Sequence, residues 1–130
     1  MSVEEWIAGY ARAWESKDPD LVVQLFTPDG LYHDQLFEEP HVGRQEIRAY
    51  WQLACSTQDQ IHTRFGTPTV NADESRGAVE FWVRNLDSGS PQTLAGILFL
   101  RFSSEGLCQE LREAWCYTPG HLEPAPNWGG

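Results

Sequence analysis

The chain has 130 residues, the usual length of one domain, and 41% of them are apolar, which is enough to build a core. Its formal net charge is −10, with only nine Lys and Arg, which argues against nucleic acid and anionic membranes as partners. A neutral or cationic small molecule, or a protein, is compatible with this charge. No apolar run reaches the length of a membrane span and the first residues carry no signal-peptide pattern, so a cytoplasmic protein is expected.

Two helices are predicted before residue 30. Residues 3–16 carry an apolar stripe at three- and four-residue spacing, formed by Val3, Ile7, Tyr10 and Trp14. Asp18 followed by Pro19 is the cap-then-proline order that starts a helix, and this second helix is predicted to include Phe26. The turn-forming residues at 27–30 are predicted to end it.

A third helix is predicted at 44–54, after a short strand at 31–35 and a loop at 36–43. The apolar spacing then changes to two, which is typical of strands. The later strands are predicted at 61–70, 77–86, 93–102 and 107–117, before an irregular tail at 118–130. Helices on one face of an antiparallel sheet make the α+β class. One domain over 1–130 is expected, because no linker or repeat interrupts the chain.

This order of elements resembles the nuclear transport factor two-like superfamily, which includes SnoaL-like polyketide cyclases, ketosteroid isomerases and limonene-type epoxide hydrolases. The resemblance is carried by residues 14–26 (WESKDPDLVVQLF), 27–35 (TPDGLYHDQ), 43–51 (GRQEIRAYW) and 110–117 (ELREAWCY). It implies a cone-shaped, cystatin-like roll in which three N-terminal helices pack in a strongly bent antiparallel sheet. It also implies a pocket for an apolar small molecule inside the cone.

The same resemblance implies a catalytic site around Asp34. Ketosteroid isomerases have a Tyr on the first helix and a catalytic Asp at the end of the first strand, and Tyr10 and Asp34 match these two with the same spacing. A carboxylate in an apolar pocket loses hydration, which raises its pKa and suits it to proton abstraction. Leu98 stands where those enzymes have a second hydrogen-bonding acid, so the site is predicted to be altered.

Glu113 is a further candidate, from the residues alone. Alternation along the last strand puts Leu111, Glu113 and Trp115 on one face. If Leu111 and Trp115 point inward, Glu113 is an inward acid, which must be protonated, paired or functional. It is predicted to be either a second catalytic acid beside Asp34 or the buried partner of an arginine such as Arg84 or Arg64.

The predicted pocket wall is mainly aromatic. It consists of Trp14, Trp51, Tyr50, His62, Arg64, Trp82, Leu98, Leu111 and Trp115. The histidine spacings match no metal-ligand motif and the chain has no glycine-rich phosphate loop, so no metal and no cofactor are predicted. His33 is adjacent to Asp34 on a strand and therefore faces the opposite way.

Three functions compete at this point. The first is a cofactor-free acid–base enzyme of the isomerase or cyclase type, in which Asp34 abstracts a proton next to a carbonyl. The second is an epoxide hydrolase or cyclase, which would recruit an arginine together with Glu80 and Glu113. The third is a non-catalytic ligand-binding or dimerisation module. The strand at 93–102 is apolar on both faces, which predicts a homodimer through the convex face of the sheet.

Overall fold

The computed structural model describes residues 1–130 and has three helices and seven strands. The helices are α1 (Val3–Ser16), α2 (Pro19–Val23) and α3 (Gly43–Cys55). The strands are β1 (Phe26–His33), β2 (His41–Val42), β3 (Gln58–Phe65), β4 (Thr69–Val70), β5 (Arg76–Asp87), β6 (Ser90–Phe102) and β7 (Cys108–Pro119). The predicted α+β class is confirmed. None of the helices has the length and apolar character needed to cross a bilayer.

The seven strands form one curved sheet in the order β2-β1-β7-β6-β5-β3, with β4 paired to β5. The predicted meander is present, since β3, β5, β6 and β7 are joined by antiparallel pairings. β1, however, runs parallel to β7, with Tyr32 opposite Leu111. This pairing brings the first strand beside the last one, so the end of β1 lies next to the residues around Glu113.

Side-chain caps begin the first two helices, and α2 starts at the predicted Asp18-Pro19 pair. Ser2 caps α1, because its side chain accepts a hydrogen bond from the Glu5 amide while the Glu5 carboxylate accepts one from the Ser2 amide. Asp18 caps α2 by accepting hydrogen bonds from the amides of Asp20 and Leu21. These caps fix where the first two helices enter the cone.

The segment between α2 and β1 differs from the prediction. The helix ends at Val23, and Phe26 already belongs to β1. The carbonyl oxygen of Leu25 accepts hydrogen bonds from the Trp6 indole and from the Cys108 amide, both at 2.8 Å, and this holds the backbone out of the helix. Residues 27–30 form a bulge inside β1 instead of a turn before it, since Phe26 pairs with Cys108 and Leu31 with Glu110.

The sheet has two distinct faces, which β6 illustrates. Leu98 and Leu100 are buried on the inner face, against the helices, in a core of 23 residues. Ile97 and Phe99 alternate with them on the outer face, where they are 49% and 48% exposed. The inner face holds the candidate site, and the outer face is partly open.

The C-terminal tail lies across the outer face of the sheet. The Trp82 indole donates a hydrogen bond to the Leu122 carbonyl oxygen at 2.8 Å, and the Arg84 guanidinium donates one to Glu123 at 2.7 Å. Farther along, the Trp128 ring packs edge-to-face against Trp82. The tail therefore neither closes the pocket nor extends into solvent.

Candidate functional site

A cavity of about 360 Å³ opens between the helices and the inner face of the sheet. Its inner end is aromatic and acidic, and its opening is formed by polar and exposed aromatic side chains at the ends of β5, β6 and β7. The cavity is lined by Tyr10, Trp14, Tyr32, Tyr50, Trp51, Ala54, Cys55, Thr57, Gln58, Phe81, Asp87, Gln92, Leu94, Glu113, Trp115 and Tyr117.

A chain of three hydrogen-bonded side chains occupies the inner end. The Tyr32 hydroxyl donates to Oε1 of Glu113 over 3.3 Å, and the hydroxyls of Tyr10 and Tyr32 are 2.6 Å apart. Because the Tyr32 proton is used on Glu113, Tyr10 is the donor in the second bond. The order Tyr10, Tyr32, Glu113 links α1, β1 and β7.

Glu113 is a weaker acid than an ordinary glutamate because it is buried. Burial raises its pKa to about 8; the Tyr32 hydrogen bond acts in the opposite direction, and the nearby Asp34 charge raises the pKa further. The second carboxyl oxygen, Oε2, has no hydrogen-bond partner in the protein, and Glu113 lines the cavity. Oε2 is therefore free to contact a bound molecule, and Glu113 can donate a proton to that molecule.

Leu98 and Glu113 are directly opposite each other across β6 and β7. The sequence resemblance left Leu98 in the place of an expected second acid. Glu113, the residue paired with Leu98 on the neighbouring strand, nevertheless places an acid on the inner face. The resulting site has its carboxylic acid on β7 instead of β6.

Asp34 lies beside the cavity but does not line it. Its carboxylate is 2.8 Å from Nε2 of His41, and its backbone oxygen accepts a hydrogen bond from the Trp115 indole at 2.8 Å. The His41 ring stacks on Tyr50, with centroids 4.4 Å apart. Asp34 thus joins two residues of the cavity wall, Trp115 and Tyr50, and its negative charge raises the pKa of Tyr50 as a smaller effect after burial.

The sequence model of the SnoaL-like domain family matches residues 7–111, most of the chain. The chain belongs to this family. Over 124 residues it is 29% identical to the epoxide hydrolase LasB of Streptomyces lasalocidi, covering 91% of this chain. The chain spans only 43% of the length of that curated relative.

Two solved structures share the fold of this SnoaL-like domain. One is the epoxide hydrolase/cyclase-like enzyme SalBIII, with a role in pyran ring formation in the polyether salinomycin, at a TM-score of 0.76 and 19% identity; the match covers 87% of this chain and 89% of that one. The other is a Catenulispora acidiphila protein with a ketosteroid isomerase-like fold, in complex with trimethylamine, at 0.75 and 19%, over 88% and 86% of the chains. The resemblance to the nuclear transport factor two-like superfamily is therefore confirmed.

Some residues predicted for the pocket lie elsewhere in the SnoaL-like domain. His62, Arg64 and Trp82 are on the outer face, because the strand positions that alternate with them, Ile61 and Phe81, are buried inside. Arg64 and Arg84 are drawn to Glu123 of the tail, so neither arginine pairs with Glu113.

Leu98 and Leu111 point inward as expected, but both are sealed in the core and line no part of the cavity. Glu80, the other acid considered for epoxide opening, is exposed on the outer side of β5. The acid–arginine–acid set is thus not assembled.

Sequence reasoning missed Tyr32, the central member of the hydrogen-bonded chain. A signal was available, because Tyr32 is two positions before Asp34 on the predicted strand at 31–35, and alternation predicts the same face for both. The polar residues of the opening, such as Asp87 and Gln92, were also missed. They lie at the β5–β6 hairpin, where the sequence predicted only a turn and no part of the site.

The histidines next to the site are engaged with acids. His33 faces away from the cavity, and its Nε2 is 2.8 Å from Glu110, which also binds Arg101 and Arg112. His41 is held by Asp34. No three ligating side chains of His, Cys, Asp or Glu converge anywhere in the chain.

Proposed function

We propose that this domain opens an epoxide in an apolar small molecule, with Glu113 as the general acid. The observation that carries the proposal is a buried carboxyl group that lines an aromatic cavity, with one hydrogen-bond donor on Oε1 and with Oε2 free. Epoxide opening requires a proton on the departing oxygen, and an acid with a pKa of about 8 holds that proton at neutral pH. The names of LasB and SalBIII support the same chemistry.

The proposed step needs only one acid from the protein, Glu113. A water molecule, or a hydroxyl of the same substrate, forms a bond to an epoxide carbon while the C–O bond of the ring breaks. Glu113 gives its proton to the ring oxygen, the nucleophile releases its own proton to water, and water later returns a proton to the Glu113 carboxylate. During the step the Tyr32 hydrogen bond stabilises the transient carboxylate, and Tyr10 supports Tyr32.

The test is turnover of simple epoxides in water labelled with oxygen-18. Mass spectrometry should detect a diol with one labelled oxygen, or a cyclic ether when the substrate carries a hydroxyl. Apolar epoxides that fit a cavity of about 360 Å³ are the first choice. Absence of any diol or ring product above the uncatalysed rate contradicts the proposal.

A second candidate is proton abstraction next to a carbonyl, with Asp34 as the base. Glu113 favours it, because its free oxygen can donate a hydrogen bond to a developing enolate oxygen while Tyr32 holds the other oxygen of the carboxyl group. Exchange of the α-hydrogens of an apolar ketone for deuterium would test it. No exchange with a ketone that binds the cavity removes this candidate.

The outer face supports a homodimer as the assembly of this domain. The tail covers the part of the face around Trp82 and Arg84. Ile97 and Phe99 remain half exposed beside it. Burying these side chains against a second copy would remove apolar surface from water.

A further inference from the structure

Tyr50, on α3, has a hydroxyl group that the proposed reaction does not use. It lines the cavity together with Tyr10 and Tyr32, but the hydroxyls of those two are engaged with each other and with Glu113. The Tyr50 hydroxyl has no hydrogen-bond partner in the protein, and it is not sealed away from the cavity. A polar group in this position is available to a ligand.

Tyr50 and Glu113 face the same space, since both line the cavity. Burial raises the pKa of the Tyr50 hydroxyl most, and the charges of Glu113 and then Asp34 raise the pKa further. The hydroxyl therefore keeps its proton over the whole working range of pH. Toward a ligand it acts as a hydrogen-bond donor and not as a base.

The Tyr50 ring is packed against two other aromatic rings. It stacks on His41 with centroids 4.4 Å apart at 21°, and the Tyr32 ring lies 5.2 Å away at 46°. His41 is directly opposite Tyr32 in the β1–β2 pairing, and its Nε2 is 2.8 Å from Asp34. A donor that is fixed before the ligand arrives loses little conformational freedom on binding and needs no reorganisation as charge develops.

We propose that the Tyr50 hydroxyl donates a hydrogen bond to an uncharged acceptor oxygen of the ligand, and that His41, anchored by Asp34, positions the Tyr50 ring for this contact. The ligand class is an apolar molecule with a ketone, ether or epoxide oxygen. A carboxylate ligand is disfavoured, because the cavity is lined by Asp87 and Glu113 and by no Lys, Arg or His.

In epoxide opening, Tyr50 gives no proton away. Its hydrogen bond strengthens as the C–O bond breaks and the departing oxygen gains negative charge, while Glu113 supplies the proton. This part of the inference rests on the proposed function. Binding of an uncharged acceptor oxygen by Tyr50 does not depend on turnover.

The binding test compares two molecules of the same shape, of which only one has an acceptor oxygen. These are 4-phenylcyclohexanone and the hydrocarbon in which a methylidene group replaces the carbonyl oxygen. Calorimetric titration of the wild type and Tyr50→Phe should show a ketone affinity about fivefold weaker in the variant, the size of one neutral hydrogen bond, and an unchanged hydrocarbon affinity. The variant should fold, because the deleted hydroxyl has no protein partner.

The control variant is Ser104→Ala, which removes an exposed hydroxyl at the β6–β7 turn and should leave both affinities unchanged. A ketone affinity that is the same in Tyr50→Phe and the wild type overturns the inference. So does an equal loss of affinity for the ketone and the hydrocarbon, or a wild type that binds no ketone.

Infrared spectroscopy of the bound ketone tests the positioning by His41. The carbonyl stretching frequency should be lower in the wild type than in Tyr50→Phe, because a hydrogen bond weakens the C=O bond. His41→Ala should raise the frequency by loosening the Tyr50 ring, whereas His41→Phe keeps a stacking ring and should restore the wild-type value. An unchanged frequency in His41→Ala overturns the positioning role.

Turnover separates this inference from the proposed function. Tyr50→Phe should lower kcat on an epoxide about a hundredfold and raise KM no more than it weakens the ketone, because the bond is strongest to the departing oxygen. Loss of ketone affinity in Tyr50→Phe, with no epoxide opened by the wild type, would contradict the proposed function alone. Epoxide opening and ketone affinity that are both unchanged in Tyr50→Phe would contradict the role of Tyr50 alone.

Discussion

The hydroxyl of Tyr32 and the carboxyl of Glu113 are joined by a hydrogen bond of 3.3 Å, the only one that the protein makes to this acid. A buried carboxylate generally needs several donors or a cation to remain charged. With one donor and no cation, the cost of burial dominates, and the pKa of Glu113 rises to about 8. The chemistry of the cavity follows from this imbalance.

Replacing Glu113 by Gln keeps the shape of the protonated acid and removes its proton. If Glu113 is the general acid, turnover of an epoxide should fall by about 10²- to 10⁴-fold. Steady-state kinetics on the wild type and Glu113→Gln measure this loss. The matched control is Glu80→Gln on the outer side of β5, which should keep full activity. Equal rates for both variants would exclude Glu113 from the reaction.

The alkaline limb of the pH–rate profile should report the pKa of Glu113. In Tyr32→Phe the hydrogen bond that lowers this pKa is lost, so the limb should move above about pH 8. Tyr10→Phe keeps the bond between Tyr32 and Glu113 and should cause a smaller shift. A limb that moves to lower pH in Tyr32→Phe would mean that the bond does not stabilise the charged form.

Glu113 also makes the stability of the protein depend on pH. The folded state holds its proton up to about pH 8, whereas the unfolded chain loses it near the ordinary pKa of 4.5. The stabilising contribution is therefore complete below pH 4.5 and is lost as the pH rises to 8. At about 1.4 kcal/mol per pKa unit, the loss is on the order of 5 kcal/mol.

Urea unfolding of the wild type and Glu113→Gln between pH 5 and pH 9 measures this contribution, because the variant lacks the titration. Relative to the variant, the wild type should become less stable as the pH rises. A difference between the two that stays constant across the range would show that the acid is not desolvated.

Asp34 has two separable roles to test. Its charge raises the pKa of Glu113, so Asp34→Asn should move the alkaline limb to lower pH. If Asp34 is also the base predicted from the sequence, the rate of proton abstraction from a ketone, measured at the plateau of its pH profile, should fall by about a hundredfold or more in Asp34→Asn. Asp29→Asn, which changes an exposed acid in the β1 bulge, is the matched control. A profile identical to that of the wild type would remove Asp34 from the site altogether.

The helices and most of the sheet could be predicted because their signals are local. The cap at Ser2, the Asp18-Pro19 start and the period-two spacing after α3 depend on neighbours in sequence. The bulge in β1 could not be predicted in this way, because Pro28 and Gly30 favour a turn. Only the pairing of Phe26 with Cys108 keeps these two residues inside a strand. That partner is more than 80 residues away.

The candidate site was predictable where alternation decides a side chain's face. Leu111, Glu113 and Trp115 all point inward as the pattern predicts, and Glu113 and Trp115 reach the cavity. Alternation cannot say which of two adjacent aromatic residues points inward. Phe81 and Trp82 are equally apolar, and packing against the tail leaves Trp82 outside.

The uncovered part of the outer face leads to the last prediction, made on Phe99. Phe99→Glu should convert a dimer into a monomer at micromolar concentration, because a carboxylate would have to be buried at the centre of an apolar contact. The variant should still fold, since the Phe99 side chain is 48% exposed on the outer face and a carboxylate there can reach water in the monomer. Sedimentation velocity measures the change. Phe37→Glu alters an aromatic residue that is fully exposed on the loop after β1, and it should remain dimeric. A wild type that is strictly monomeric contradicts the homodimer, and a Phe99→Glu variant that stays dimeric moves the interface to another surface.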